Sequence, residues 1–242
     1  MFPKICSIGP FNLYSYGLML VLAFMASTFL ASRQAKKENI NPEIIFNLAF
    51  IAFLSGVIGA RIFYIAENLG FYLKNPLEIV MLQRGGLSWF GGFILGFSTA
   101  IIYLKNKKLP VYKILDLIAP FLALAQAIGR IGCLLNGCCF GKVSRFGIYF
   151  PVHEAVLIPT QAYSSLILVL IFAVLRFLQD RPHKEGQIIF VYLLLYCTKR
   201  FFIEFWRADN PHIFMNLTLF QIFSIVLFAI SLSVLIGIGR KK

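Results

Sequence analysis

Four basic residues stand inside apolar runs, where a charge is costly: Arg61, Arg130, Lys199 and Arg200. A guanidinium is permanently charged and grips phosphate through two parallel N–H donors, so arginines gathered within a bilayer suit an anionic headgroup. Arg130 lies in a second informative feature, the run Gly129-Arg130-Ile131-Gly132-Cys133-Leu134-Leu135-Asn136-Gly137-Cys138-Cys139-Phe140-Gly141. Its glycines clear space where an arginine and an asparagine project, and Asn136-Gly137 is a helix-ending pair. A helix that stops at the membrane surface, followed by a glycine-rich turn, offers backbone groups and the Asn136 amide to a polar ligand. Close helix packing uses small residues too, so packing and headgroup binding are both open readings of these glycines.

The elements that position these residues follow from composition. The 242 residues are 59% hydrophobic and 14% charged, with a mean hydropathy of +0.80. Soluble domains run about 45–50% apolar and about 25% charged. The chain reads as an integral membrane protein, which excludes a soluble enzyme, a disordered tail and a disulfide scaffold. Seven stretches are long and apolar enough to cross, at about 12–32, 44–66, 86–104, 112–139, 159–178, 187–207 and 216–238. Of the 23 basic residues, 13 follow the first, third and fifth stretches or end the chain, while six (Lys4, Lys74, Arg84, Lys142, Arg145, Arg207) fall on or near the other side. Basic loops stay cytoplasmic, so the N-terminus is expected outside and the C-terminus in the cytoplasm. The same asymmetry accounts for the net charge of +13 and leaves nucleic acid with no claim on it. The expected fold is an all-α integral membrane protein of seven transmembrane helices, a single polytopic domain over 1–242. An amphipathic interfacial helix is predicted at about 71–83 and a structured outer cap at about 140–158.

Helix rise sets the depth of the remaining cations. At about 1.5 Å per residue from the inner ends of their spans, Arg61 and Arg130 each lie about 26 Å up and Arg200 about 22 Å up. Three cations from three helices thus reach the outer third of the bilayer. Snorkelling or pairing with Glu67 and Glu204 is one reading; a pocket for a phospholipid phosphate entering from the outer leaflet is the sharper one. Asp116, near the inner end of its span, reads as a structural carboxylate, with a proton relay as the alternative. The cysteines Cys6, Cys133, Cys138, Cys139 and Cys197 form no C-x-x-C pair and have no histidine at zinc spacing. For the vicinal Cys138-Cys139, apolar packing is the first reading and redox or soft-metal chemistry the second.

The run Gly129-Arg130-Ile131-Gly132, then Asn136-Gly137, then Gly141 resembles the signature of prolipoprotein diacylglyceryl transferases. Further matches follow in order: Tyr14-Ser15-Tyr16-Gly17-Leu18, Gly59-Ala60-Arg61, Gly85-Gly86-Leu87-Ser88 with Gly91-Gly92, Asp116 to Pro120, Pro159-Thr160-Gln161, Arg200 with Glu204 followed by Phe205, Arg207 and Asp209, and Leu217-Thr218 with Gln221. The resemblance covers nearly the whole chain, and that family has the same seven spans with an outward N-terminus. The departures are specific. The family commonly has histidine where this chain has Phe90 and Ile158, asparagine at Cys133, and glutamate at Cys138 and Ser164.

What the resemblance implies is transfer of a diacylglyceryl group from phosphatidylglycerol to the lipobox cysteine thiol of a prolipoprotein signal peptide, releasing glycerol phosphate. It implies a monomer in the bacterial cytoplasmic (inner) membrane, with its active site toward the outer leaflet, and neither cofactor nor metal. Arg130 and Arg200 are then the expected catalytic cations, because charge develops on the departing phosphate. Substrate binding is expected from Arg130, Tyr16, Arg61, Asn136, Gly141, Glu204 and Gln161. With Phe90 in place of histidine the base stays open among Glu204, His153, His212 and the field of the arginines. Two other classes remain: a lipid-binding or lipid-modifying relative without lipoprotein acylation, and a transporter.

Overall fold

The structure, a computed structural model, describes every residue except 9–10, 82–84 and 241–242, and only the backbone at 7, 8, 11, 12 and 212. In chain order the elements are β1 (Lys4–Ile8), β2 (Phe11–Tyr14), α1 (Ser15–Lys37), α2 (Pro42–Glu67), α3 (Leu69–Lys74), α4 (Trp89–Asn106), α5 (Val111–Asn136), β3 (Val143–Phe150), β4 (Ala155–Leu157), α6 (Thr160–Gln179), α7 (Gln187–Glu204), β5 (His212–Phe214), β6 (Leu217–Thr218) and α8 (Leu219–Arg240). The protein is mostly helical. Helices α1, α2, α5, α6 and α8 are long and apolar enough to cross a membrane. Helices α4 and α7 have 18 residues each; α4 ends in Lys105 and Asn106, and α7 carries Lys199, Arg200 and Glu204, which lowers their apolarity.

The predicted helix at 71–83 takes a different form. Helix α3 stops at Lys74, and a 3-10 turn follows over Pro76–Val80. Pro76 has no N–H for the ladder and biases the residue before it away from helix, and Asn75 sits at φ −131°, ψ 67°. Leu82, Gln83 and Arg84 lie outside the described residues, as do Lys241 and Lys242. The predicted cap over 140–158 is the antiparallel hairpin β3–β4, with Tyr149 opposite Val156. Two further hairpins, β1–β2 and β5–β6, add strand to the expected all-α fold.

Contacts divide the chain into two compact units, Ser32–Val111 and Met1–Ala31 with Tyr112–Lys242. In the first, α2 and α4 pack backbone to backbone. A Cβ on Gly59 would collide with the Gly91 carbonyl and one on Gly91 with that of Gly59, so both positions require glycine. Ser55 Oγ and Thr99 Oγ1 share a 2.6 Å hydrogen bond across the same seam.

The second unit is built on α5, α6 and α7. Ala119, Ala123 and Ala127 repeat every four residues along α5 and pack with Leu168, Leu175, Ile188 and Tyr192. Small side chains let the helices approach, which matters in lipid because tails are as apolar as leucine. Pro120 lies inside α5 and leaves the Asp116 carbonyl without its helical donor. Gln179 Nε2 donates to that carbonyl at 3.2 Å and to the Leu117 carbonyl at 3.1 Å. The Asp116 carboxylate accepts from the backbone N–H groups of Gly186 (2.6 Å) and Ile189 (2.8 Å), capping α7 from a neighbouring helix. This is the structural role expected of it. At the opposite end of the unit lie the ends of α5 and α7 and the starts of α1, α6 and α8. Phe2 N–H reaches the Leu135 carbonyl at 3.0 Å and Lys142 N–H the Trp206 carbonyl at 2.8 Å, so the hairpins are tied to these helix ends.

Candidate functional site

The end of α5 is a Schellman turn. Gly137 adopts φ +79°, its N–H bonds to the Leu134 carbonyl at 3.2 Å, and Cys138 N–H bonds to the Cys133 carbonyl at 3.1 Å. That geometry sets the residue after the glycine beside the residue five positions back, here Cys138 beside Cys133. Cys139 is also left-handed, at φ +62°, a conformation uncommon outside glycine. The chain folds back, and the Sγ atoms of Cys133, Cys138 and Cys139 lie within 4.8 Å of one another. The helix-ending signal at Asn136-Gly137 is legible in sequence; the meeting of three thiols was missed. Because Gly137 and Cys138 spend their N–H groups on helix carbonyls, the turn does not present those donors to a ligand, contrary to the sequence expectation.

Cations gather at the same end. Arg200 is ion-paired with Glu204, Nη2 to Oε2 3.0 Å, with side chains only 8% and 0% exposed. Glu204 Oε1 accepts from Thr218 Oγ1 at 3.1 Å and from the Asn210 amide. The Arg200 guanidinium also lies 4.3 Å from the Phe220 ring centre. Arg207 forms a bidentate pair with Asp209 at 2.8 and 2.6 Å. Lys199 is buried, its amine 4.6 Å from the Tyr196 ring centre. Arg130 is an electrostatic neighbour of Arg207, Lys199 and Arg200, and it makes no hydrogen bond or ion pair among the described residues. Three guanidiniums thus face two carboxylates, a surplus of positive charge with one fork uncommitted. Arg207 and Asp209, part of the sixth-span match and counted toward the outer side, prove to be an ion pair, whereas Lys199 has no role in the sequence reading.

The other expected residues divide by unit. Tyr16, in the first turn of α1, packs against Gly132 and is an electrostatic neighbour of Arg130 and the three thiols. Gln161 is 1% exposed, and its amide donates to the Cys138 carbonyl at 2.6 Å. Its Oε1 is buried with no partner among the described residues. Thr160 Oγ1 holds the Cys139 carbonyl at 2.7 Å, and a His153 ring nitrogen lies 2.8 Å from the Gly137 carbonyl. His153 thus helps to fix the turn. Asn136 is the last residue of α5, immediately before the turn that carries Cys138. Gly141 bridges to Arg207, and a Cβ there would meet Ile158 and the Trp206 carbonyl at 2.8 Å. Close backbone approach requires glycine here.

Arg61 belongs to the other unit, and its donors are occupied. Its guanidinium bonds the carbonyls of Ile79 (3.0 Å), Gly85 (2.7 Å), Gly86 (3.0 Å), Met81 (3.5 Å) and Glu78, and lies over Tyr72. It gathers the carbonyls of Glu78 and Ile79 in the 3-10 turn with those of Met81, Gly85 and Gly86, so the expectation that it offers its fork to a phosphate is corrected.

A family model for prolipoprotein diacylglyceryl transferase matches residues 3–237. The chain belongs to that family. Relatives named phosphatidylglycerol--prolipoprotein diacylglyceryl transferase include one from Clostridium tetani, 33% identical over 216 residues and 86% of each chain. One from Streptococcus agalactiae is 30% identical over 99% of this chain and 97% of its own, and one from Streptococcus mutans 32% identical over 99% and 96%. In this family member the matched motifs cluster at helix ends: Tyr16 opens α1, Arg130 and Asn136 close α5, Gln161 opens α6, Arg200 and Glu204 close α7, and Gln221 opens α8. Phe90, where a histidine was expected, is the second residue of α4 with its ring 5.2 Å from that of Trp89.

Proposed function

We propose that this protein transfers the diacylglyceryl group of phosphatidylglycerol to the lipobox cysteine thiol of a prolipoprotein. Seven helices (α1, α2, α4 to α8) cross the bacterial cytoplasmic membrane in this reading, with the N-terminus outside and the working end at the outer leaflet. The charge asymmetry of the loops supports that orientation. One observation carries the chemical assignment: Arg130 has no ion pair or hydrogen bond among the described residues, whereas the neighbouring Arg200 and Arg207 are both paired.

The phosphate of phosphatidylglycerol docks on the Arg130 fork, with Arg200 as the second cation held in place by Glu204. The acceptor sulfur attacks the glycerol carbon that bears the phosphate. The carbon–oxygen bond breaks, and glycerol phosphate leaves with the electron pair. Charge builds on that leaving group, and preformed cations in a site shielded from water stabilise it most there. The Tyr16 hydroxyl donates to a glycerol or ester oxygen in this reading, and Gln161 Oε1, which has no partner among the described residues, accepts from a glycerol hydroxyl.

The test is transfer of labelled phosphatidylglycerol to a lipobox peptide by purified variants. Arg130→Ala is expected to lower turnover by about 100-fold or more, the scale of losing one charge-stabilising donor. Undiminished turnover in both Arg130→Ala and Arg200→Ala would remove the assignment. Rescue of cells depleted of their own transferase separates this reading from a lipid-binding relative that does not acylate.

A further inference from the structure

We infer that Cys133, Cys138 and Cys139 bind a thiophilic d10 cation, Zn(II) foremost, through three thiolates, leaving a fourth position open to an incoming thiol. The cluster is built by backbone. The Schellman turn sets Cys138 beside Cys133, and the left-handed Cys139 brings in the third sulfur. A non-glycine residue held at positive φ costs about 1–3 kcal/mol and persists where its surroundings enforce it. Here they do: Gln161 clamps the Cys138 carbonyl and Thr160 that of Cys139.

The distances suit a metal. Zinc–sulfur bonds of about 2.3 Å in a tetrahedron place sulfurs about 3.8 Å apart, so the thiols need to close by no more than about 1 Å from the observed spread. The Cys138 thiol gives up a 3.7 Å contact to the Cys133 carbonyl in doing so. Binding releases three protons to solvent and leaves a site with one net negative charge. Arg130 and Arg207, both electrostatic neighbours of Cys139, offset it. Three protein ligands with one position free is the pattern of reactive rather than closed zinc sites. If the transfer proposed above is correct, the acceptor thiol binds there and loses its proton to solvent as it ligates. That supplies a thiolate without the histidine that Phe90 replaces.

The experiment uses reduced, full-length protein in detergent, titrated with Co(II) under anaerobic conditions and back-titrated with Zn(II). Expected are a thiolate-to-cobalt charge-transfer band saturating at a single ion per chain, displacement by Zn(II), and loss of the band in Cys133→Ser and Cys139→Ser. The Cys6→Ser, Cys197→Ala double variant should keep it. In the unmodified chain, Zn(II) should protect three cysteines from maleimide, as counted by mass spectrometry, while Cys6 stays reactive. Absence of the band with no thiol protection overturns the site. A lipobox peptide with cysteine, but not serine, should shift the cobalt ligand-field bands. No shift, together with full turnover by chelator-stripped enzyme, overturns the open-position role while leaving the transferase reading intact.

Discussion

Glu204 is completely buried and pairs with Arg200 one helical turn before it at 3.0 Å, while Thr218 and Asn210 occupy its other oxygen. The carboxylate thus joins the end of α7 to the start of α8 and holds a cation at the candidate phosphate site. Removing one member of a buried pair leaves an uncompensated charge, at a cost of about 3–5 kcal/mol. Glu204→Ala is therefore expected to destabilise the protein by that order in denaturant unfolding. The double variant with Arg200→Ala should lose less than the two single losses added together. Additive losses would mean the pair is not coupled.

Asp116 makes a second prediction. Its two oxygens cap α7 through Gly186 and Ile189, and hydrogen bonds to charged groups contribute about 1.5–3 kcal/mol each. Asp116→Asn keeps one acceptor and turns an amide against the other N–H. Lower thermal stability and faster hydrogen exchange at the start of α7 are expected, with turnover per folded molecule retained. Lost turnover at unchanged stability would instead support a proton relay.

Arg61→Lys separates charge from geometry. Lysine keeps the cation but cannot reach five carbonyls in a fixed fork. Faster limited proteolysis around Ile79 and Gly85 is expected. An unchanged digestion pattern would argue that the arginine does not organise this segment.

The Cys139 thiol, just beyond α5, is acidified by hydrogen bonds from Cys133 and Cys138, with Arg130 and Arg207 nearby. A lowered thiol pKa keeps the thiolate populated as pH falls. In metal-free protein, alkylation of Cys139 is expected to persist below the ordinary thiol range of about 8.5. Mass spectrometry across a pH series reads it directly. A rate for Cys139 that falls in step with that of a free cysteine peptide would contradict the arrangement.

Much of the helical framework is legible from apolar runs and their punctuation. The expected 112–139 span is helix α5, shortened to Asn136 because Gly137 turns left-handed there. The ion pair of Arg200 and Glu204 follows from their spacing of four. What is not legible depends on contacts distant in sequence or on single backbone angles. Arg61 reads as a free cation until the carbonyls of Glu78, Ile79, Met81, Gly85 and Gly86 fold onto it. The hairpins β1–β2 and β5–β6 carry too few residues to show a strand period, β3 is mostly exposed and shows no alternation of buried and exposed residues, and Asn75-Pro76 interrupts what the amphipathic pattern presents as one helix. The thiols meet only because two consecutive bends reverse the chain, and residue spacing alone does not encode the second.

That second bend also limits which residues evolution can place at position 139. Glycine and asparagine enter a left-handed backbone with little penalty, whereas valine or isoleucine would be resisted whatever chemistry the site required. Grafting a relative's signature onto this chain therefore means exchanging the turn as a block. Swapped one residue at a time, the new side chains would inherit a backbone shaped for cysteine.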